Sequence, residues 1–290
     1  MRDGWIILDK DSGLFSRTAG GRIARMLGTK KFGHIGTLDP MASGVLPIAF
    51  GAATKMIPFV EDAGAPVKEY LFSMQFGFET DTLDITGREL RRDNIVPTTR
   101  DVVNALARFV GHIMQTPPIY SAVHVDGRRA YELARRGAVV DIKPRPIDIF
   151  ALEFMGAHGV SWHFRVRCGR GTYVRALARD IAAAVGCIAT VDMIRRVETN
   201  GFNIKNAVKL DFLENLFNNG GDIGQCLMEP DFGLGDIPVC NLGDKDADFY
   251  INGGFINVGG DNGLRRVKMG EKFIGIGCVT DGVLRPKRTI

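Results

Sequence analysis

A single carboxylate stands in a long stretch of uncharged sequence, and it is the first candidate for chemistry. Asp39 is the only Asp, Glu, Lys or Arg between Phe32 and Thr54, in the glycine- and proline-rich segment 33–47. In one interpretation Asp39 caps a helix that begins at Pro40, since aspartate and proline are favoured at these two positions. In the other, a rigid loop holds a lone carboxylate in apolar surroundings, where a cationic partner would keep it ionised as a nucleophile or base.

A second group of residues could supply that cation and contact a planar ligand. Arg175 lies at the start of a predicted helix, where it could also be a solvated first-turn residue or contact a phosphate. Tyr70 is on the apolar face of the alternating segment 68–76, where ordinary core packing is the default interpretation. Tyr173 and Ile194 are also compatible with packing against a sheet, so both interpretations stay open at this point.

Periodic segments predict the elements that must position these residues. The predicted strands are 4–9, 68–76, 145–155 and 160–168. The predicted helices are 16–27, 98–110 and 172–185, with Thr98 or Thr99 as the N-cap of the second. Segment 33–51 is predicted to be irregular because of its Gly and Pro content. Helices inserted between antiparallel-looking strands predict an α+β fold with a mixed, largely antiparallel sheet.

A shift in composition after Phe217 indicates a domain boundary. Segments 218–222 and 229–231 have linker composition, and short strands with tight glycine turns follow them. These strands are predicted at 255–258, 264–268, 272–280 and 283–285. We therefore expect a main domain over residues 1–230 and a small β module over residues 235–290, which is too short to bury much core by itself.

The signatures of several enzyme classes are absent from the sequence. There is no P-loop, no Gly-x-Ser-x-Gly elbow and no His-Glu-x-x-His pair. The five cysteines include no Cys-x-x-Cys pair, which predicts reduced, mostly buried thiols and no zinc site. An enzyme with this sequence would act through carboxylate, tyrosine and arginine side chains, and we expect neither a cofactor nor a metal.

The same sequence predicts no membrane segment. Its longest uncharged run, 109–125, contains two His, a Gln and two Pro, and no signal peptide is visible at the N-terminus, so a cytoplasmic location is expected.

The net charge is only +4, but residues 1–50 carry 7 basic and 4 acidic side chains, and residues 125–200 carry 13 basic and 8 acidic side chains. If these two blocks meet in the fold, they form a positive face for a polyanion partner. Charge alone favours the other interpretation, in which the Arg and Lys side chains only solvate helix faces.

Five ordered segments resemble the TruB family of pseudouridine synthases. Gly33–Pro47 is similar to the family pattern Gly-His-x-Gly-(Thr/Ala)-Leu-Asp-Pro-x-Ala-x-Gly-x-Leu-Pro. The other four are similar to its Lys-x-Tyr, Thr-Asp-Thr-x-Asp-x-x-Gly, Pro-Pro-x-Tyr-Ser-Ala and Gly-Thr-Tyr-(Ile/Val)-Arg segments, and they lie at Lys68–Tyr70, Thr80–Gly87, Gln115–Ala122 and Cys168–Arg175. Together the matches span residues 5–200, about two thirds of the chain.

The resemblance implies a specific reaction on RNA. Family members of this kind isomerise the uridine at position 55 in the TΨC arm of tRNA: the N-glycosidic bond is cleaved, the uracil turns, and it rejoins the ribose through C5. The reaction needs no metal or cofactor. The implied partner is the tRNA T stem-loop, with no protein partner required and a monomeric protein, and the C-terminal module resembles the PUA-like, RNA-contacting domain of bacterial members.

The resemblance also implies roles for individual residues. Asp39 matches the catalytic aspartate, which attacks the ribose or assists loss of the base, and Arg175 matches the arginine that pairs with it. Tyr70 matches a tyrosine that stacks on the target uracil and whose hydroxyl is available for proton transfer. Tyr173 matches a tyrosine that lines the same pocket, and Ile194 matches an apolar wall against the base that is usually Leu.

His34 matches the residue that enters the RNA and fills the space left by flipped-out bases. Phosphate contacts are expected among exposed arginines, and the candidates are Arg128, Arg129, Arg135, Arg136 and Arg145. The sequence departs from the family at Lys10-Asp11, where Lys-Pro is usual, which bears on a loop conformation, and at His124, which replaces a frequent Lys.

Three functional hypotheses follow from these patterns. The first is an isomerase acting on uridine 55 of tRNA, and it requires the set Asp39, Tyr70 and Arg175. The second is a non-catalytic tRNA-binding chaperone that assists folding and would not require that set. The third keeps the enzyme class but directs it to guide-RNA-selected sites, and the absence of long basic tails argues against it.

Overall fold

The computed structural model describes residues 3–62, 67–93, 95–121, 123–125, 127–138 and 140–290. Ala122, which ends the segment Gln115–Ala122, and the side chain of Arg135 lie outside that description. The strands are β1 (Gly4–Lys10), β2 (Phe32–His34), β3 (Ser43–Phe50), β4 (Lys68–Phe76), β5 (Phe78–Thr80), β6 (Glu89–Arg92), β7 (Gly111–Gln115), β8 (His124–Val125), β9 (Arg128–Arg129), β10 (Arg145–His158), β11 (Ser161–Cys168), β12 (Ala189–Thr199), β13 (Phe202–Asn203), β14 (Val208–Lys209), β15 (Val239–Asn241), β16 (Ile256–Asn257), β17 (Gly263–Met269), β18 (Lys272–Thr280) and β19 (Val283–Thr289). The helices are α1 (Ser16–Met26), α2 (Ile57–Asp62), α3 (Thr99–Leu106), α4 (Ala130–Arg135), α5 (Val174–Ala184), α6 (Leu210–Asn218) and α7 (Asp244–Ile251).

Packing divides the chain into two compact units. The first comprises Met1–Pro40, Val45–Pro66 and Asn200–Ile290, and the second comprises Met41–Gly44 and Val67–Thr199. The predicted boundary between 1–230 and 235–290 follows chain order instead and stays a prediction. Among the described residues, no helix has the length and apolar character needed to cross a membrane.

The second unit is built on an antiparallel sheet whose strand order is β12-β4-β11-β10-β7. Strand β4 alternates as predicted, and its buried side chains include Tyr70, Phe72, Met74 and Phe76. The Phe72 ring stacks on Phe164 of β11, with ring centroids 5.1 Å apart. Because one face of this sheet is apolar, its register is fixed by burial. The α+β prediction is confirmed.

Helix α5 begins after Tyr173 and covers the same unit. Leu177 and Ile181 lie four residues apart on its buried face, as the spacing predicts. The predicted range 172–185 therefore exceeds the helix by one or two residues at each end. The helix predicted over 98–110 is shorter than expected: Thr98 accepts a hydrogen bond from the Asp101 amide as its N-cap, and α-helical geometry ends at Leu106.

The first unit contains β1, which is buried along its whole length and pairs in parallel with β14. One core cluster joins Trp5 of β1 and Phe202 to Phe273 and Ile276 of the C-terminal strand β18. The C-terminal strands form a separate five-stranded sheet in the order β15-β17-β18-β19-β16. The small β module is confirmed, and its sheet shares a core with residues from the N-terminus.

The prediction that 33–51 is irregular is wrong for its second half. Strand β3 runs from Ser43 to Phe50 and is buried along nearly its entire length. Gly44 and Pro47 concealed this strand in the sequence, since both residue types weaken strand interiors. The Ile35 amide donates to the Pro47 carbonyl, so the proline's acceptor is used.

Candidate active site

The loop that carries Asp39 lies between β2 and β3, and Asp39 itself belongs to the first unit. Asp39 is half-buried, Pro40 and Met41 form a turn, and the chain then enters β3. The interpretation of Asp39 as a helix cap is therefore wrong. The other interpretation, in which a loop holds the Asp39 carboxylate, remains.

Side chains from β1 and α1 hold the residues on both sides of Asp39. The Ser16 hydroxyl donates to the Leu38 carbonyl at 3.0 Å and accepts from the Leu38 amide at 3.1 Å. Lys10 is fully buried, and its Nζ donates to the Pro40 carbonyl at 3.3 Å. Hydrogen bonds from a buried cation to carbonyl oxygens satisfy its charge and stiffen the loop. Asp39 therefore projects from a fixed backbone.

Lys10 makes two further contacts at the start of the same unit. Its Nζ donates to the carbonyls of Leu14 at 2.7 Å and Asp11 at 2.9 Å. The loop after β1 therefore closes around the ammonium group although Asp11 stands where the family usually has Pro. The substitution leaves the Lys10 contacts to that loop intact.

Arg175 lies in the first turn of α5 in the second unit and is 5% exposed. The interpretation of Arg175 as a solvated residue is wrong. Its Nη1 donates to the Thr82 carbonyl at 2.7 Å, and its Nη2 donates to the Tyr120 carbonyl at 3.0 Å. The Asp84 carboxylate lies 3.6 Å from Nη1. The guanidinium is thus held in one orientation by two other segments of the chain.

The segment Thr80–Gly87 is a compact turn built around the buried Asp84. The Asp84 Oδ1 accepts from the Thr82 hydroxyl at 3.0 Å and from the Thr86 amide at 3.0 Å, and the Thr80 hydroxyl donates to the Asp84 carbonyl. A Cβ on Gly87 would lie 2.3 Å from the Thr82 hydroxyl oxygen, so a larger residue there would displace the Thr82 side chain. The threonines therefore fix one oxygen of Asp84 and leave the other, Oδ2, toward Arg175.

The Gln115 side chain forms a two-point contact with the backbone of Tyr173. Its Oε1 accepts from the Tyr173 amide at 2.9 Å, and its Nε2 donates to the Tyr173 carbonyl at 3.2 Å. One helical turn later, Arg179 donates to the Thr116 carbonyl at 2.9 Å. Together with the Arg175 contact to Tyr120, these bonds fasten the 115–121 segment along the start of α5.

We predict that Gln115→Ala lowers the free energy of unfolding by about 1–3 kcal/mol, since it removes both hydrogen bonds between the buried Gln115 side chain and the Tyr173 backbone. Urea unfolding of the purified variant measures this. Gln225→Ala is the matched control, because Gln225 is exposed and its loss is expected to change stability by less than about 0.5 kcal/mol. Equal stability of the two variants would contradict the assigned role of Gln115.

Tyr70 and Ile194 lie on the neighbouring strands β4 and β12 of the second unit. Tyr70 is 8% exposed and Ile194 is buried, opposite Phe72 in register. Arg196 of β12 is the cross-strand neighbour of Tyr70. Burial of Tyr70 and Ile194 fits both core packing and a wall beside a ligand.

The remaining predicted site residues divide between the units. His34 ends β2, is half-buried and pairs with Ile48 of β3. Thus Asp39 and His34 belong to the first unit, and Tyr70, Tyr173, Arg175 and Ile194 belong to the second. Tyr173 packs on a small buried cluster that contains Val123.

The Cys168 thiol, which begins the segment Cys168–Arg175, is not expected to act as a nucleophile. Burial raises the pKa of the Cys168 thiol to about 11, so it is protonated at neutral pH and a poor nucleophile. Among the cysteines, Cys168 and Cys187 are buried and the other three are half-buried, so fewer are buried than expected. Across the part of the chain that the structure describes, no cluster of three His, Cys, Asp or Glu side chains could hold a metal ion.

The segments that contain Asp84 and Gln115 were identified from the sequence, but neither residue was assigned a role. The signal was present: two threonines and an aspartate at close spacing favour a side-chain-bonded turn. Arg196 was also missed, because a second arginine on a strand is usually exposed. It is 1% exposed here.

Comparison with known proteins identifies the family. Residues 24–174 match the TruB family pseudouridylate synthase N-terminal domain, and residues 238–290 match the pseudouridine synthase II TruB C-terminal domain. The chain is 43% identical over 245 residues to a protein of Caulobacter sp. (strain K31) named tRNA pseudouridine synthase B, covering 84% of this chain and 78% of that one. A protein of the same name from Ehrlichia chaffeensis is 38% identical over 98% of both chains.

Solved structures share the fold at lower identity. A chain of a Cbf5-Nop10-Gar1 complex matches with a TM-score of 0.71 and 23% identity, covering 99% of this chain and 85% of that one. A chain of an H/ACA RNP bound to a substrate RNA containing 2′-deoxyuridine matches with a TM-score of 0.72 and 21% identity, over 99% and 84%. With both family domains matched and relatives aligned over nearly its full length, the chain belongs to the TruB family of pseudouridine synthases.

Proposed function

We propose that this protein isomerises uridine to pseudouridine at position 55 in the TΨC loop of tRNA. Family membership supports the reaction type, and relatives named tRNA pseudouridine synthase B support tRNA as the substrate. The observation that carries the proposal is the buried guanidinium of Arg175, which Asp84 and two carbonyls hold in one orientation. A buried charge held in one orientation by an ion pair and hydrogen bonds is a common feature of catalytic sites.

The chemistry assigns separate tasks to the site residues. Asp39 is the catalytic carboxylate, which attacks the ribose or assists departure of the uracil as the bond from N1 to C1′ breaks. Arg175 is its proposed cationic partner. After the uracil turns, C5 bonds to C1′, the hydrogen on C5 leaves as a proton, and N1 gains a proton. Tyr70 stacks on the uracil during this rotation, with Tyr173 and Ile194 as further walls.

The uridine must leave the folded T-loop before this reaction can occur. Extruding a nucleotide costs a few kcal/mol, which an inserted side chain and phosphate contacts can offset. His34 is the proposed inserted residue. Arg128, Arg129, Arg136 and Arg145 are exposed, which supports their proposed phosphate contacts. The module at 235–290 is proposed to add RNA contacts to those of the 1–230 domain.

The proposal is tested with purified protein and an unmodified tRNA transcript that carries tritium at C5 of its uridines. Without ATP, metal or a guide RNA, we expect release of one tritium equivalent per tRNA and loss of that release when uridine 55 is replaced by cytidine. Release that persists in the cytidine transcript would contradict the position. Tight binding without release would favour the chaperone hypothesis, and release only with an added guide RNA would favour the third.

The proposed setting is a monomer in the cytoplasm that needs no protein partner. The tritium-release assay also tests whether a protein partner is needed, because the purified chain is the only protein in it. Gel filtration of the free protein is expected to give the mass of one chain, and a larger mass that persists on dilution would contradict this.

A further inference from the structure

The outer face of α1 carries positive charge to which the proposed reaction assigns no task. Three of the 11 residues of this helix are arginines, and none is acidic. The positive character continues past the helix, because the segment between Asp11 and Asp39 contains five basic side chains and no acidic one, with Lys30 and Lys31 after the arginines. A surface of one charge sign attracts a polyanion.

Two of the three arginines form an exposed row along α1. Arg22 is the exception, since it forms an ion pair with Glu214 of α6 at 2.6 Å. Arg17 and Arg25 are exposed, and with Gly21 between them they follow the spacing of four residues that places side chains in one row of a helix. Their Cα atoms are about 12 Å apart along the helix axis. Because Gly21 has no side chain, a ligand can approach the helix closely between the two arginines. We call Arg17 and Arg25 the α1 arginine row.

Helix stability does not explain the position of Arg17. The helix dipole favours negative side chains in the first turn of a helix and positive side chains in the last turn. Arg17 is the second residue of α1, so its charge is unfavourable for the helix, whereas Arg25 lies in the last turn. Removal of the Arg17 charge should therefore leave α1 at least as stable as before. An external anionic partner gives this exposed charge a function.

The α1 arginine row is packed against the strand that ends in His34. Gly20 of α1 lies against the Phe32 ring of β2, and a Cβ on Gly20 would lie 2.6 Å from that ring. Such close packing leaves little room for the helix to slide over the strand. His34, the proposed RNA-inserting residue, follows Phe32 by two residues, or about 7 Å along the strand. An RNA that accepts His34 therefore comes close to α1.

We propose that the α1 arginine row binds backbone phosphates of the T stem-loop of tRNA. Arg17 and Arg25 each contact one phosphate, because a guanidinium matches the oxygens of a phosphate in a two-point hydrogen bond. Phosphate contacts position an RNA without reading its bases, so the row contributes affinity and salt dependence to the binding step. The inference rests on the proposed function for the identity of the RNA, since His34 is proposed to enter the T stem-loop.

The salt dependence of RNA binding tests this surface. Filter binding between about 50 and 200 mM KCl is measured for the wild type and for the double variant Arg17→Ala/Arg25→Ala, with full tRNA and with an isolated T stem-loop RNA. Each lost phosphate contact lowers the slope of log affinity against log salt by about 1, so we expect a decrease of about 2 with both RNAs. Single-turnover tritium release from full tRNA at saturating protein should stay within about twofold of the wild type, since the chemical step is untouched.

The double variant Arg100→Ala/Arg108→Ala is the matched control. Arg100 and Arg108 are exposed, also lie eight residues apart and have no proposed RNA contact, so their loss removes the same charge and should keep the wild-type slope. A second control, Arg17→Lys/Arg25→Lys, keeps both charges and should also keep most of the slope. Thermal melts report folding, and Arg17→Gln/Arg25→Gln replaces the alanine pair if that pair does not fold.

The slopes and the tritium assay separate the two proposals. An unchanged slope, or an equal decrease in the Arg100/Arg108 control, would overturn the phosphate contact and leave the proposed function intact. A decrease with full tRNA but not with the T stem-loop RNA would also overturn it, because the contact would lie elsewhere in the tRNA. Failure of both the alanine and the glutamine pair to fold would show a structural role instead. No tritium release by the wild type on any tRNA would overturn the proposed function, whereas the slopes decide the phosphate contact independently.

Discussion

Asp39→Asn is expected to reduce tritium release from uridine 55 by at least about 10³-fold while the protein still binds tRNA. The substitution keeps the size of the side chain and removes its charge, so neither nucleophilic attack nor assistance to the leaving uracil remains possible. The bonds from Ser16 to Leu38 and from Lys10 to Pro40 use backbone atoms and side chains other than Asp39. The loop should therefore keep its conformation in the variant.

Single-turnover release and filter binding together measure the effect of Asp39→Asn. Asp236→Asn is the matched control, because Asp236 is an exposed acid elsewhere in the same unit and should release tritium at the wild-type rate. A rate within tenfold of wild type for Asp39→Asn would remove Asp39 from its catalytic role. A parallel loss of tRNA binding would indicate that the carboxylate serves affinity instead.

Asp84→Asn is expected to cause the second largest loss, although Asp84 is proposed to touch no substrate. Asparagine can keep Oδ1 toward the Thr82 hydroxyl and the Thr86 amide, and its Nδ2 would then face the Arg175 guanidinium, donor against donor. Breaking one partner of a buried ion pair costs about 3 kcal/mol of unfolding free energy. A displaced Arg175 should also slow the reaction by roughly 100-fold or more.

Urea unfolding and single-turnover release measure the two effects of Asp84→Asn separately. Asp81→Asn is a close control in the same turn, because the Asp81 Oδ1 accepts from the Arg88 amide and asparagine can do the same. We expect Asp81→Asn to resemble the wild type in both measurements. Wild-type stability for Asp84→Asn would contradict the assigned ion pair, and a wild-type rate would separate that pair from catalysis.

Local periodicity was sufficient to predict most of the elements around the site. Strand β4 alternates over nine residues, and α5 has a buried stripe, so both could be identified from side-chain spacing alone. Strand β3 could not, because Gly44 and Pro47 are locally unfavourable in a strand and are tolerated here by specific neighbours. Gly44 is required by the close approach of the Arg196 backbone, and that neighbour lies far away in the sequence.

The spacing of residues in the sequence could not predict the contacts that orient the site. Whether Arg175 is solvated or buried depends on the turn around Asp84 and on the Tyr120 carbonyl, and no local pattern near residue 175 reports either. Lys10 is similar, since its three carbonyl acceptors depend on how two loops fold around it. The resemblance to a family indicated which residues mattered, and the geometry supplies the physical reasons for Arg175 and Lys10.

The two carbonyl contacts of Arg175 have a consequence for the order in which the protein matures. The acceptors lie 93 and 55 residues earlier in the chain. Closing such long chain loops loses conformational entropy that only the finished contacts recover. During synthesis, the turn at Asp84 and the segment at Tyr120 leave the ribosome well before the side chain that joins them. We therefore expect nascent chains that end before residue 175 to carry both segments in protease-sensitive form, with protection arriving when α5 emerges.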